Sequence, residues 1–481
     1  MLTAVSTLVV SGAAAAVGVV IAREFGRTDE TDGLLASYGV FLVIAIAAQA
    51  IRIAVLPHLA RARLNQRLAG EVTAFALALA VVSLPLVVVV ELWARPLGGL
   101  VTGGESELAR DTASAALQWM VPAGVTHLFA ALVSSGLAAL DDYRTPALGY
   151  AAGSVAGLGL ILVRAEPDGI VAVAWGVTLN GAVALLVPLL GLALHAARTG
   201  MPTGALRPSG PPLGVRLRTF LVASSLPLAL QALYVVCLPF AGREGTGAAT
   251  SFVYAYLAAS ALVTVTASSL ALTTSVPLTR SGLTPDLVTR HVTAAAWLSL
   301  AVLGAVSGSF MVAGADIVGA ILGSAYGADV GAEIGRMVVL LAPWTVAAVG
   351  VALTFPLVFI RGATAWLPAI GGTAVLAQAL LAFAASALAG LDGLALSLAG
   401  PTWLVLVALL VPLRALRRAL PELVQSSLLV ALLAALAFVP VGLAFDRYTA
   451  GAAGAVLYVA LLLIVRPRGL RASWHHLRAL G

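Results

Sequence analysis

The sequence predicts an all-α polytopic membrane protein with about fourteen transmembrane helices. Of its 481 residues, 61% are hydrophobic and only 10% charged, too little polar surface for a soluble chain of this size. Apolar runs of roughly 20 or more residues, long enough to cross a bilayer core, recur from end to end. The charges between those runs fall on alternate sides, positive on one and negative on the other.

The runs place helices at 2–22, 33–58, 69–94, 114–140, 145–163, 169–196, 217–241, 249–275, 292–322, 335–360, 364–390, 393–413, 424–445 and 448–465. The first run, MLTAVSTLVVSGAAAAVGVVIA, has no positive leader and is long enough to span, so it is expected to be a retained first helix. Pro401 interrupts the twelfth.

All 27 basic residues are arginine. With the N-terminus cytoplasmic, the even-to-odd loops and the C-terminal tail hold eighteen arginines and five acids; the opposite side holds eight arginines and sixteen acids, and Arg52 stays unassigned. This is the positive-inside pattern, so both termini are expected to be cytoplasmic and the protein to sit multi-pass in the plasma membrane. The basic balance, with a pI near 9.9, is explained by topology and implies no nucleic acid. The single cysteine, Cys237, lies in an apolar run and supports neither a disulfide framework nor a thiolate metal site.

The chain also repeats itself. ARPLGGLVTG (94–103) aligns without gaps on ADIVGAILGS (315–324). Pro57 and Arg61 have counterparts in Pro277 and Arg280, and Arg144 has one in Arg361. The offsets cluster between 217 and 221. Six helices per repeat give both copies the same orientation, related by an axis along the membrane normal. The expected organisation is an N-lobe at 1–198, a Pro- and Gly-rich cytoplasmic linker at 199–216, a C-lobe at 217–418, and two extra helices with a tail at 419–481.

Three stretches carry a family resemblance. AREFGRTDETDGLLASYGVF (22–41), VLPHLARAR (55–63) and GLAALDDYRTPAL (136–148) resemble the helix junctions of the MOP superfamily, and within it the lipid II flippase family (MurJ/MviN) and its polysaccharide-flippase relatives. The resemblance implies two six-helix lobes around a cavity. It implies transport of a polyprenyl-diphosphate-linked glycan precursor by alternating access, and a lipid-tail groove formed by the two extra helices. The bilayer and the lipid-linked glycan are the implied partners, together with cell-wall or polysaccharide synthesis enzymes. Relatives of the lipid II flippase carry arginines in the middle of helix one; here that stretch reads VSTLVVSGAAAAVGVV, uncharged until Arg23.

Six residues stand out as candidate substrate ligands: Arg52, Gln49, Arg23, Asp32, Asn180 and Gln231. Arg52 lies six residues before the expected end of helix two, roughly 9 Å of rise. It either snorkels to the headgroups or faces a cavity as a phosphate ligand. Gln49, three residues earlier, shares its face. Asp32 is placed either to cap helix two or, with Arg23, to form an outer gating pair that the resemblance suggests. Asn180, Gln231, His127 and Gln378 are polar residues within helices, suited to interhelical hydrogen bonds.

No catalytic residue, cofactor or metal is expected. The chain contains neither G-x-x-x-x-G-K-[ST] nor H-E-x-x-H, and the adjacent His475 and His476 point apart. A MATE-type drug/cation antiporter on the same fold would want an embedded carboxylate in helix one or seven, and FLVASSLPLALQALYVVCLPF has none. A glycan polymerase would need a large outer loop, yet the longest is about 20 residues (94–113). A major-facilitator transporter would show a G-x-x-x-D-R-x-G-R-like loop where this chain has ARARLNQRLAG. A transport-inactive scaffold of a cell-wall assembly is the remaining alternative.

Overall fold

The computed structural model describes residues 2–104, 106–198, 210–268, 284–465, 467 and 469–471. Among them the chain is α-helical: α1 (Leu2–Phe25), α2 (Asp29–Leu64), α3 (Leu68–Thr102), α4 (Glu107–Ala139), α5 (Arg144–Asp168), α6 (Val171–Arg198), α7 (Leu213–Gly242), α8 (Ala248–Val263), α9 (Pro285–Leu322), α10 (Ala328–Leu340), α11 (Ala342–Ile360), α12 (Leu367–Ser397), α13 (Ala399–Leu410), α14 (Leu416–Ala444) and α15 (Arg447–Val465). The protein is a multi-pass all-α membrane protein.

Thirteen stretches among the described residues are long and apolar enough to cross a membrane, and the longest, Leu367–Leu410, is 44 residues. That one folds back on itself. Its backbone leaves the helical region at Ala389 and Gly390, and Gln378 Nε2 donates to Ser397 Oγ at 2.9 Å. Nineteen residues of straight helix would hold those two roughly 28 Å apart. The expected boundary between the eleventh and twelfth spans is therefore a real reversal, and the stretch supplies two crossings. The expected tenth span starts earlier, at Ala328, and breaks at Leu341, just ahead of Pro343, into α10 and α11.

The internal repeat is written in the backbone. Gly26 and Gly247 both have positive φ, as do Gly103 and Gly323, Asp141 and Gly362, and Gly169 and Gly390. Long helices α3 and α9 break at Trp93 and Ala313, both at φ −123°. Every pair is separated by 220 or 221 residues. Chance alignment of apolar sequence would not reproduce the positions where helices stop.

Two compact units divide the chain, Met1–Ala249 and Thr250–Gly481. The sequence placed the division ahead of the seventh helix; the structure keeps α7 in the first unit. Arg216, at the start of α7, forms a buried ion pair with Glu71 of α3, and α7 packs along α2. Most of the expected linker (199–209) and the tail from 472 lie outside the described residues, His475 and His476 included.

In the first unit α2 runs against α4 at backbone distance. A Cβ on Gly33 would stand 2.3 Å from the Ala109 carbonyl oxygen, and Ser37 Oγ donates to the Ala113 carbonyl across the same seam. Small residues give this close approach. On the neighbouring pair, Gly153 and Gly157 of α5 lie directly on Asn180 and Gly176 of α6. At the α4–α5 turn, Asp141 pairs with Arg63 at 2.5 Å. Asp142 accepts from the Arg144 and Thr145 amides and the Thr145 hydroxyl, doing the work of an N-cap. Burial pushes the Asp142 pKa up, but the bonds from Thr145 and Arg144 and the Arg144 charge outweigh it and hold the carboxyl below its ordinary value.

The second unit centres on α9, which packs against α10, α14 and α15. Phe438 of α14 fills the space over Gly308 and Gly454, and Tyr458 of α15 donates from its hydroxyl to the Ala301 carbonyl at 3.1 Å.

Candidate functional site

Arg52 lies farther from the end of its helix than the sequence suggested. Helix α2 continues through position 57 to Leu64, so twelve residues, roughly 18 Å of rise, follow Arg52 before the helix stops. Its side chain enters a cavity of about 550 Å³ inside the first unit, walled by α1, α2, α4 and α5. The guanidinium carbon sits 5.3 Å from the centroid of the Tyr150 ring, a cation–π distance. His127 stacks on the same Tyr150 ring, 6.4 Å between centroids at 13°, and meets Phe41 edge-on at 5.6 Å.

The chemistry of this cavity is that of an anion or polyol site. One guanidinium, the hydroxyls of Ser11, Ser134, Tyr143 and Tyr150, and the His127 imidazole line it, and no carboxylate appears among its described lining residues. Two of these groups are buried without a hydrogen-bond partner, His127 Nε2 and Ser134 Oγ. Such atoms are costly unless something answers them. The α1 wall contributes Ser6, Thr7, Val10 and Ser11, so the uncharged stretch of α1 ahead of Arg23 leaves Arg52 as the cation of the site.

The other candidates fall elsewhere. Gln49 is on α2, but its side chain lies outside what the structure describes. Asn180 lines a separate space of about 90 Å³ between α1, α2, α5 and α6, with Oδ1 buried and unpartnered. Gln231 is buried within α7, 5% exposed. Arg23 is exposed at the end of α1. Asp32 is not the cap of α2. Thr28 takes that role, its hydroxyl accepting from the Thr31 amide, because the helix starts four residues earlier than expected. The Asp32 carboxylate is buried and accepts from the Gly247 amide at 2.6 Å, while Arg27 Nε donates to the Gly247 carbonyl at 2.8 Å. Arg27 and Asp32 thus meet on Gly247, one at its carbonyl and the other at its amide. Beside this clamp lies a polar pocket of about 460 Å³ lined by Asp29, Asp32, Ser106 and Arg243.

The second unit holds an apolar groove of about 390 Å³ between α9, α11, α13 and α14, with Leu303, Met311, Val346, Trp403, Val424 and Leu428 on its walls. Of the two helices beyond the repeat, α14 lines it, while α15 packs behind through Tyr458 against Phe438. One of the two extra helices thus lines an apolar groove together with helices of the repeat.

Sequence reasoning missed Tyr150 and Ser134, which carry no motif, and Arg27, which lies unremarked within the 22–41 stretch. Glu71 could have been found: it is a carboxylate three residues inside an expected apolar span, and such a charge needs a partner. Among the described residues no cluster of His, Cys, Asp and Glu could hold a metal ion.

Fold and site together define a class, the polytopic α-helical membrane protein with the fold of MOP-superfamily transporters. Within that class the chain is similar to the lipid II flippase MurJ in its inward closed conformation, with a TM-score of 0.71, 14% identity, and coverage of 97% of this chain and 100% of that one. It is also similar to an inward-facing multidrug resistance MATE family transporter (TM-score 0.60, 15% identity, 85% and 94% covered). A MOP superfamily transporter from Pyrococcus furiosus, described as having a binding pocket of reversed polarity, matches at a TM-score of 0.57 and 16% identity over 88% and 94%. No family model matches the sequence, and no curated protein does either.

Proposed function

We propose that this chain is a flippase that carries a polyprenyl-diphosphate-linked glycan precursor, peptidoglycan lipid II or a polysaccharide repeat unit, across the plasma membrane by alternating access. The observation that carries the reading is Arg52, held over Tyr150 in a hydroxyl-lined cavity within the membrane-spanning part of the first unit. A charge held among membrane-spanning helices is expensive, and such a charge points to a function. A guanidinium fork suits a diphosphate, which it grips with two parallel hydrogen bonds. The unanswered His127 and Ser134 atoms suit hydroxyl-rich sugar.

The apolar groove along α14 is a dry surface of the chemistry a polyprenyl tail requires. A cation antiporter is less well served, because an arginine and no described carboxylate face the cavity. Cytoplasmic termini follow from the arginine distribution, and synthesis enzymes of the glycan are the partners this activity requires.

The test is a vesicle assay with a labelled polyprenyl-diphosphate glycan, in which translocated headgroup becomes accessible to an external reagent. Vesicles containing the protein should translocate it faster than protein-free vesicles. Saturable binding of the substrate without acceleration would support the scaffold instead.

A further inference from the structure

The first unit has a second large cavity, on the other side of α4 from Arg52. The residues of α4 that face the Arg52 cavity are His127, Ala131, Ser134 and Ala138. Those that face the second are Phe129, Leu132 and Val133, with Leu140 just beyond the helix. Helices α3 and α6 close this cleft, which has a volume of about 600 Å³. Its walls are apolar. The Thr73 hydroxyl is spent on the Ala69 carbonyl, and the remaining polar side chain is His195. Nothing there would bind a sugar.

One end of the cleft is different. Leu68 begins α3, Leu140 follows the end of α4, and His195 is in the last turn of α6, so three helix ends meet at a single mouth. Arg67 precedes Leu68 and Arg198 ends α6; both are exposed, and neither has an ion pair among the described residues. The acids near that mouth are committed elsewhere. Glu71 is bound to Arg216, Asp141 to Arg63, and Asp142 to the start of α5. The mouth therefore carries uncompensated positive charge at the level where helix ends meet lipid headgroups, and the slot below runs beside the acyl chains.

We propose that this cleft binds an anionic phospholipid of the leaflet on the arginine-rich side, with an acyl chain between α3, α4 and α6 and the phosphate on Arg67 and Arg198. A basic mouth between transmembrane helices recognises acidic headgroups in this way, and the apolar slot fixes the chain. The site is separate from the one proposed for transported substrate and does not depend on that reading.

The experiment uses the full chain purified in neutral detergent, with dioleoyl phosphatidylglycerol or dioleoyl phosphatidylcholine added and retention read by native mass spectrometry alongside the melting midpoint. Phosphatidylglycerol should be retained and raise the midpoint; phosphatidylcholine should do neither. The double variant Arg67→Gln/Arg198→Gln, on exposed positions that leave the core intact, should weaken phosphatidylglycerol retention on the order of tenfold. Ala76→Phe, which fills the slot, should weaken it as well, with Thr73→Leu as a second, smaller filling. Inorganic phosphate should not raise the midpoint. Equal retention of the two lipids, unchanged retention in the arginine variant, or displacement of phosphatidylglycerol by a short polyprenyl diphosphate would each overturn the assignment; the last would make the cleft part of a substrate path.

Discussion

Arg216 and Glu71 meet as a two-pronged ion pair, Nη1 to Oε1 at 2.7 Å and Nη2 to Oε2 at 2.8 Å, with side chains 2% and 8% exposed. Arg216 also donates from Nε to the Pro211 carbonyl and lies 4.4 Å from the Phe75 ring centroid. The pair ties the start of α7 to α3. Replacing either partner alone, as Glu71→Gln or Arg216→Gln, leaves a buried charge and should cost about 3–5 kcal/mol. The apolar double variant Glu71→Leu/Arg216→Met should recover most of it. Denaturant or thermal unfolding in detergent checks this, and additive losses in the double variant would mean the two side chains act independently.

Arg52→Ala should abolish translocation in the vesicle assay while leaving expression and melting midpoint nearly unchanged, because the side chain is exposed to its cavity. Arg52→Lys should restore only part of the rate, since a point charge cannot reproduce the fork. Tyr150→Leu should weaken substrate binding less than Arg52→Ala does, because the ring orients the guanidinium without replacing it. Full activity of Arg52→Ala would remove the cavity from the mechanism.

Gly247 has φ +77°, and a Cβ there would stand 1.9 Å from Arg27 Cγ. Gly247→Ala should therefore cost about 1–3 kcal/mol from backbone strain and open the Asp32–Gly247–Arg27 clamp. With Cys237→Ser as background, a cysteine at Thr246 should react faster with a thiol reagent in Gly247→Ala and Asp32→Ala than in the parent. Gly12→Ala, where a Cβ meets nothing within 4 Å, is the control and should be silent.

The folded Asp142 carboxyl has a pKa below its unfolded value. Its contribution to stability is therefore present above the ordinary carboxylate pKa and is lost as pH falls through the lower folded value. Protection of the Arg144 and Thr145 amides from hydrogen exchange should hold from neutral pH down to about 4 and fall only below that. In Asp142→Ala it should be reduced throughout. Protection that vanished above pH 5 would assign the effect to another group.

Reporter fusions at Arg63, Gly210 and Gly481 should read cytoplasmic, and fusions at Glu105 and Gly245 should read outside. One reversed reporter would mean an even number of crossings between it and its neighbour where an odd number is assigned.

The amino-acid sequence by itself determined the spans, the division of charge between sides and the repeat. Each is a one-dimensional signal: an apolar run either is or is not long enough to cross, and Arg61, Arg63 and Arg67 follow the second run whatever the helices later do. Even the reversal near Gly390 was legible, because a 44-residue run exceeds one crossing and contains glycine where it must turn. The tertiary structure decided which side chains meet. Residue 71 finds residue 216, residue 52 finds residue 150, and residue 32 finds residue 247 only once each helix is fixed in rotation about its axis, and each step along a helix turns a side chain by about 100°. In soluble helices an apolar stripe reveals that rotation; α1, α2 and α7 show no one-sided apolar stripe, so the facing of Arg52, Asp32 and Arg216 was set by packing between helices and by the few polar groups that had to find one another.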